Sequence, residues 1–211
     1  MIVLLMAGCG TPVDAEGGSG SATPVEKPKV VAKDAGVTAD AKIPVDAQDD
    51  GHASTGTWSV NFSPKGGCQA QVVKLIVGAK VSVRVAAYSF TSQQVVDALI
   101  AQQVAGRDVK VLLDRINAPG GGSGSGGEAA PGSKAQALKA GKVPVWIDAK
   151  HAIMHDKFIV VDDKIIETGS YNYTGQAETS NAENCFIYHN KDAADAFTQN
   201  WDLHQAHSTP L

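Results

Sequence analysis

Residues 155–174 read HDKFIVVDDKIIETGSYNYT, and this stretch indicates how the second half of the chain folds. Two runs rich in β-branched residues, 157–161 and 164–168, flank the pair Asp162-Asp163, and this arrangement predicts two strands joined by a turn. A further strand-like run follows at residues 184–188. The stretch therefore predicts consecutive strands of one sheet.

The rest of the chain alternates strand-like and helical patterns. The strand-like runs are 58–62, 80–88, 109–113 and 143–147, and the helical patterns are 68–77, 91–106, 133–140 and 192–204. A β-α-β-α-β order predicts a layered α/β domain. Pro144 places its strand at a sheet edge or makes the strand start at that residue. The glycine-rich segment 120–127 is expected to be a mobile loop.

A set of polar side chains stands at the ends of the predicted strands. His155 and Lys157 are two positions apart, so on an extended chain they point to the same side. Lys157 and Asn172 can bind the non-bridging oxygens of a phosphodiester. His155 can act as nucleophile or proton donor near neutral pH, and Glu183 can fix its tautomer. The set predicts phosphoryl-transfer chemistry.

The spacing of these residues resembles the HKD motif of the phospholipase D superfamily: His155-x-Lys157-x4-Asp162-x6-Gly169-Ser170-x-Asn172. Segments 62–64, 87–92, 109–114 and 177–184 are similar to the small single-motif members, which include a bacterial endonuclease and mitochondrial cardiolipin hydrolases. The resemblance covers about residues 58–205. It implies an α/β fold with a mixed central β-sheet flanked by helices on both sides.

The resemblance also implies a role for each residue of the motif. His155 would be the nucleophile and form a phosphohistidine intermediate, while Lys157 and Asn172 would hold the phosphate. Ser170 would support the phosphate or the histidine network, and Glu183 would orient an imidazole. The catalytic set expected from the resemblance is therefore His155, Lys157, Asn172 and Glu183.

The two aspartates of the motif region have lesser roles. Asp162 is implied to be structural, holding a strand end and lying near Lys157, and Asp156 stands where the family more often has Asn. A metal centre built from His151, His155, Asp156 and Asp162 is the competing interpretation. His151 and His155 are four positions apart, a spacing that suits two ligands on a helix, yet this region has a strand pattern. We therefore expect no catalytic metal and no cofactor.

The motif occurs once in the chain. The family's mechanism uses two histidines, one as nucleophile and one as general acid. A second copy of the chain should supply the other histidine, so the resemblance implies a two-fold homodimer with a composite active site.

Charge and composition limit the function classes. Hydrophobic residues make up 43% of the chain, as in globular proteins, and the formal net charge is −4. Residues 1–52 hold four Lys and eight Asp/Glu, which accounts for the whole net charge. Residues 53–211 hold fourteen Lys/Arg and fourteen Asp/Glu, so their positive and negative charges are balanced. A balanced domain lacks the broad basic field of a tight duplex binder, although a local basic cleft is possible. The cleft candidates are Lys65, Arg84, Arg115, Lys150 and Lys164.

Three function hypotheses remain at this point. The first is an endonuclease of low sequence specificity acting on nucleic acid. The second is a phospholipase D that hydrolyses phosphatidylcholine-type membrane lipids to phosphatidic acid. The third is a surface lipoprotein that binds anions at an inactive site, which the complete set of motif residues disfavours.

The N-terminal part resembles an export signal. Residues 1–9 (MIVLLMAGC) resemble a bacterial lipoprotein signal in which Cys9 is lipidated, and the alternative is an ordinary exported N-terminus. Residues 10–52 contain no aromatic residue and are predicted to be a disordered linker before a catalytic domain at 53–211. We thus expect a membrane-anchored protein facing the periplasm or the cell exterior. In that compartment Cys68 and Cys185 would form a disulfide or remain two buried thiols.

Overall fold

Strands and helices alternate along residues 56–119 and 132–211, the parts of the chain described by the computed structural model. The strands are β1 (Thr57–Ser63), β2 (Ser82–Ala87), β3 (Asp108–Asp114), β4 (Val145–Asp148), β5 (Lys157–Val161), β6 (Ile165–Gly169), β7 (Glu183–His189) and β8 (Thr209–Pro210). The helices are α1 (Cys68–Val77), α2 (Gln93–Val104), α3 (Ala135–Ala140), α4 (Gly175–Thr179) and α5 (Lys191–His207). Every strand and helix predicted within these parts is present, and α4, β8 and a short 3-10 helix at Arg115–Asn117 are additions.

Several sequence-based expectations concern residues outside the described parts. These are the signal at 1–9 with Cys9, the linker at 10–52 and the glycine-rich loop at 120–127. Among the described residues, no helix combines the length and apolar composition that crossing a membrane requires.

The strands form one mixed sheet in the order β1-β7-β6-β5-β2-β3-β4-β8. Strands β2, β3 and β4 are parallel, whereas β5 runs antiparallel to β2, and β6, β7 and β1 continue with antiparallel pairs. One end of the sheet therefore gathers the carboxyl ends of β1, β2, β3, β4 and β6 and the amino ends of β5 and β7. We call it the site end of the sheet.

Helices cover both faces of the sheet, as predicted. Helices α1, α2 and α3 pack on one face because their apolar residues recur every three or four positions, as at Val72 and Ile76 of α1. Helix α5 covers the other face, where Ala194 and Trp201 join a second apolar cluster. The indole of Trp201 also donates a 2.9 Å hydrogen bond to the carbonyl of Val85 in β2, which fixes α5 over the centre of the sheet.

Asp162 stabilises the far end of the sheet. Asp162 and Asp163 have positive φ values of 55° and 52° in the turn between β5 and β6. The Asp162 carboxylate accepts hydrogen bonds from three consecutive backbone amides, residues 80–82, which lead into β2. Burial opposes its ionisation, but these bonds outweigh burial and lower its pKa. The structural role is as predicted, whereas the expected proximity to Lys157 is wrong, because a five-residue strand of about 16 Å separates them.

The two cysteines of the domain are free thiols in the core, so the disulfide considered from the sequence is not formed in this structure. Cys68 begins α1 and Cys185 lies in β7, and both are fully buried. Burial raises the pKa of both thiols, and a hydrogen bond joins them. In this structure the pair therefore has the second of the two forms considered, that of two buried thiols.

Candidate active site

His155 and Lys157 lie together at the site end of the sheet. Lys157 is the first residue of β5, and His155 is an exposed residue just before it. The Lys157 ammonium donates a 2.7 Å hydrogen bond to the carbonyl of His155. The ring of Tyr88, one residue past β2, lies 4.7 Å from the His155 ring and 5.2 Å from the Lys157 nitrogen. Tyr88 therefore packs against both motif side chains.

The segment before β5 is tied to the neighbouring strand ends. Asp114, the buried last residue of β3, accepts a 2.7 Å hydrogen bond from the backbone amide of Met154. The amide of Tyr88 donates a 3.1 Å bond to the carbonyl of Asp156. Because these bonds come from β3 and from the end of β2, they set the direction in which His155 leaves the sheet. Neither Tyr88 nor Asp114 was predicted from the sequence to belong to the site.

The Lys157 ammonium lies in a partly desolvated position. Its residue is only 8% exposed, and burial lowers the pKa of the amine, although Asp156 and Glu183 partly offset this effect. A desolvated cation beside an exposed imidazole attracts an anion more strongly than a fully hydrated one. This arrangement suits a phosphate group between Lys157 and His155.

Asn172 is positioned by two buried tyrosines on either side of it. The Tyr171 hydroxyl donates a 3.2 Å hydrogen bond to Glu178, and the Tyr173 hydroxyl donates a 2.8 Å bond to Glu167. Both rings are fully buried, so the loop after β6 has few alternative positions. The Asn172 side-chain oxygen is buried and has no hydrogen-bond partner among the described residues.

The glycine of the motif is required by a close backbone approach. A Cβ atom at Gly169 would lie 2.1 Å from the backbone oxygen of Asn184 in β7. Only glycine allows β6 to end so close to β7, and this contact places Ser170 beside Glu183.

Ser170 and Glu183 form a hydrogen-bonded pair. The Ser170 hydroxyl donates a 2.6 Å bond to one carboxylate oxygen of Glu183, and the Asn181 amide donates a 2.9 Å bond to the other. Within residues 56–119 and 132–211, no hydrogen bond or ion pair joins Glu183 to His155. The structure therefore brings His155, Lys157, Asn172, Ser170 and Glu183 to one end of the sheet, while the imidazole of the same chain lacks the expected carboxylate partner.

The predicted cleft cations separate into two groups. Lys65, Arg115 and Lys150 follow the carboxyl ends of β1, β3 and β4 and are exposed at the site end. Arg84 lies within β2 and pairs with Asp108 and Asp163, and Lys164 lies in the turn after β5. Arg84 and Lys164, two of the five cleft candidates, therefore do not lie at the site end with the motif.

Comparison with known proteins assigns the family. A family model described as cardiolipin synthase, PLD-like domain, matches residues 72–203. The chain belongs to the phospholipase D superfamily. The predicted family and fold are thus confirmed.

Individual relatives of this phospholipase D superfamily member carry different names. A phospholipase D from Rickettsia bellii is 35% identical over 143 residues, which are 68% of this chain and 66% of that protein. A mitochondrial cardiolipin hydrolase from Xenopus laevis is 34% identical over 112 residues, 53% of this chain and 49% of that protein. The chain thus spans about two-thirds of the Rickettsia relative and about half of the Xenopus one.

A solved structure matches over most of the folded part. The crystal structure of Nuc, a phospholipase D family member from Salmonella typhimurium, is similar with a TM-score of 0.65 and 32% sequence identity. The match covers 74% of this chain and 98% of Nuc.

Proposed function

We propose that this protein is a phosphodiesterase that acts through a phosphohistidine intermediate on His155. The observation that carries the proposal is the exposed His155 imidazole beside the desolvated Lys157 ammonium, at a strand end shared with Asn172. An imidazole nitrogen attacks phosphorus and forms a P–N bond while the bond to the leaving oxygen breaks. Lys157 and Asn172 bind the non-bridging oxygens and stabilise the charge that develops there.

A second proton-transferring group completes the cycle. A histidine from a second copy of the chain donates a proton to the leaving oxygen and then accepts one from water. That water attacks phosphorus and breaks the P–N bond, which releases the product and restores His155. Ser170 and Asn181 hold the Glu183 carboxylate in place, where it orients the imidazole of the partner copy.

The second copy is also supported by an exposed apolar strip on β1. Trp58, Val60 and Phe62 alternate along the strand and share one face of the sheet, and all three are exposed. Helix α5 packs over the central strands of this face and not over the β1 end. Phe62 pairs with Asn184, the neighbour of Glu183, so the strip leads to the active site. A second copy that buried the strip would also bring its own motif close.

Subunit mixing tests the composite site. Wild-type protein is mixed with increasing amounts of the His155→Asn variant, and diester hydrolysis is measured after subunit exchange. A composite site needs both histidines, so activity should fall as the square of the wild-type fraction. Activity that falls in direct proportion to that fraction would refute the composite site, and the His189→Asn variant serves as the matched control that should not reduce activity.

For the substrate, we favour a nucleic acid cleaved with low sequence specificity. Lys65 and Arg115 extend the cationic surface beyond Lys157 along the site end, as a groove that follows a phosphate backbone requires. The resemblance of the sequence to the small single-motif members, which include a bacterial endonuclease, also supports this substrate.

Phospholipid is the second candidate. Ile153 is an exposed apolar side chain near the site end, where it could contact acyl chains. Several curated relatives carry the name phospholipase D.

A direct assay separates the two substrates. Plasmid DNA, RNA and phosphatidylcholine vesicles are offered to wild type, to a Lys65→Ala/Arg115→Ala double variant and to Lys164→Ala, which removes a cation from the opposite end of the sheet. A nuclease should lose nucleic-acid affinity in the double variant only. Release of choline with intact nucleic acid would instead identify a phospholipase D, and equal activity of His155→Asn on every substrate would refute the assignment of the site.

We also propose that Cys9 is lipidated and anchors the catalytic domain to a membrane through residues 10–52. The proposal rests on the apolar residues before Cys9 and on the composition of the linker. Mass spectrometry of the processed protein should find acyl chains on Cys9, and the Cys9→Ser variant should leave the membrane fraction. Unmodified Cys9 in the processed protein would contradict the proposal.

A further inference from the structure

Three histidines and one aspartate converge beside the active site, outside the motif. Asp148 is the fully buried last residue of β4, and His151 follows it by three positions. His204 and His207 lie in the last turn of α5, also three positions apart. One ligand atom from each residue lies within 4.8 Å of the others.

The hydrogen-bond geometry of this cluster is unusual. His151 and His204, through Nδ1, and His207, through Nε2, approach the same oxygen of Asp148 at 3.0, 3.0 and 3.1 Å. The other carboxylate oxygen already accepts backbone amides from residues 150 and 151. A carboxylate oxygen has two lone pairs, so three ring N–H groups cannot all bond to it well. A cation between the rings and the oxygen would resolve this crowding.

We propose that Asp148, His151, His204 and His207 bind a zinc ion or a similar divalent transition metal. Three imidazoles and one carboxylate are a tetrahedral donor set that zinc accepts. Ligands at zinc bond lengths of about 2.0–2.2 Å and tetrahedral angles lie about 3.3–3.5 Å apart. The three ring nitrogens lie 3.0–3.1 Å from the Asp148 oxygen, and the four ligand atoms lie within 4.8 Å of one another, so side-chain rotations can bring them to these separations. The partly exposed rings of His204 and His207 leave an entry route from solvent.

The outer contacts of the cluster also fit a metal site. The second ring nitrogen of His204 lies 3.8 Å from the carboxylate of Asp156, and Asn200 donates a 3.2 Å hydrogen bond to the same oxygen. Metal-binding histidines commonly have a carboxylate near their other nitrogen.

The position of the cluster gives the ion a structural role. Asp148 and His151 lie on the segment that leads to His155, whereas His204 and His207 belong to the C-terminal helix, 56 residues from Asp148 along the chain in the case of His204. An ion bound here would fasten α5 to the segment that carries the nucleophile. It would take no part in bond cleavage, so the proposal stands or falls separately from the proposed hydrolytic function.

Zinc binding to the untagged full-length protein tests the proposal. The protein is stripped with EDTA, given zinc chloride and passed through a desalting column, and retained zinc is measured by mass spectrometry. We expect one zinc per chain and a higher unfolding temperature than that of the stripped protein. The His207→Gln variant should bind zinc at least about 10- to 100-fold more weakly, since even loss of an outer partner has an effect of that size.

Two control variants locate the ion. His189→Gln removes a histidine at the end of β7, and His155→Gln removes the motif histidine, and both should retain one zinc. Equal zinc retention by His207→Gln and wild type, or loss of zinc only in His155→Gln, would overturn the proposal.

Measurements on the wild type keep the proposal testable if the variants do not fold. Cobalt-substituted protein should show the intense visible bands of a tetrahedral site, and X-ray absorption of the zinc form should show three imidazole nitrogens and one oxygen. A weak octahedral cobalt spectrum, or no stoichiometric binding, would refute it.

Discussion

Glu167 allows a quantitative test of how the loop after β6, which carries Asn172, is held in place. Its carboxyl group is fully buried in β6 and accepts a hydrogen bond from Tyr173. Burial raises its pKa from the ordinary 4.5 to about 8, although the bond from Tyr173 acts in the opposite direction. The side chain is therefore neutral at pH 7 in the folded protein and ionised in the unfolded chain.

The pH dependence of stability follows from this difference. Between pH 4.5 and about 8 the folded state holds a proton that the unfolded state has lost, so stability falls as the pH rises. Each pH unit corresponds to about 1.4 kcal/mol, and the full interval to about 5 kcal/mol as an upper limit. The Glu167→Gln variant keeps an acceptor for the Tyr173 hydroxyl but cannot ionise, so it lacks this loss of stability.

Urea unfolding at several pH values between 4.5 and 9 measures the effect. The unfolding free energy of Glu167→Gln minus that of wild type should rise with pH and level off above about pH 8. In a Tyr173→Phe background the levelling should occur at higher pH, because the bond that lowers the Glu167 pKa is gone. Parallel curves for wild type and Glu167→Gln across the whole range would refute a neutral Glu167.

Three further predictions concern the site itself. The His155→Asn variant should lose turnover, while its unfolding free energy should change by less than about 0.5 kcal/mol because the ring is exposed. Loss of the melting transition in this variant would show that His155 has a structural role. Gly169→Ala should destabilise the protein by about 1–3 kcal/mol and lower kcat, because its Cβ would meet the Asn184 carbonyl; wild-type kcat would contradict this. Hydrolysis by EDTA-treated protein that remains folded should continue, because no bond-breaking step of the proposed mechanism uses a metal ion, although loss of a structural ion can lower kcat; complete loss of hydrolysis in folded, EDTA-treated protein would contradict the proposed mechanism.

Local patterns were sufficient to predict most elements of the fold. The pattern at 68–77 predicted α1 with the bounds that the structure has, because its apolar spacing and the following glycine are local features. The two-residue strand β8 was missed, since so short a segment has no periodicity. The order of the strands in the sheet could not be predicted from the sequence either, because the pairing of β1 with β7 joins segments more than a hundred residues apart.

The site was predictable only where its residues follow each other closely. His155 and Lys157 share a strand end, and the motif spacing connects them to Asn172. Asp114, by contrast, acts on Met154 across 40 residues, and no sequence signal pairs these two. The same limit applies to the histidine cluster: spacing along the sequence groups His151 with His155, whereas the fold places His151 with His204 and His207.

The sheet itself explains why these separate residues act together. Asp114 and Asp148 end neighbouring parallel strands, Tyr88 follows the end of a third, and Lys157 begins the antiparallel strand beside it. The carboxylates of Asp114 and Asp148 accept backbone hydrogen bonds from the segment before β5, and the Tyr88 ring packs on His155. The position of His155 is therefore set by three strands rather than by its own loop. Changes at Asp114 or Asp148 should therefore reduce catalysis by moving His155, although neither side chain reaches the phosphate.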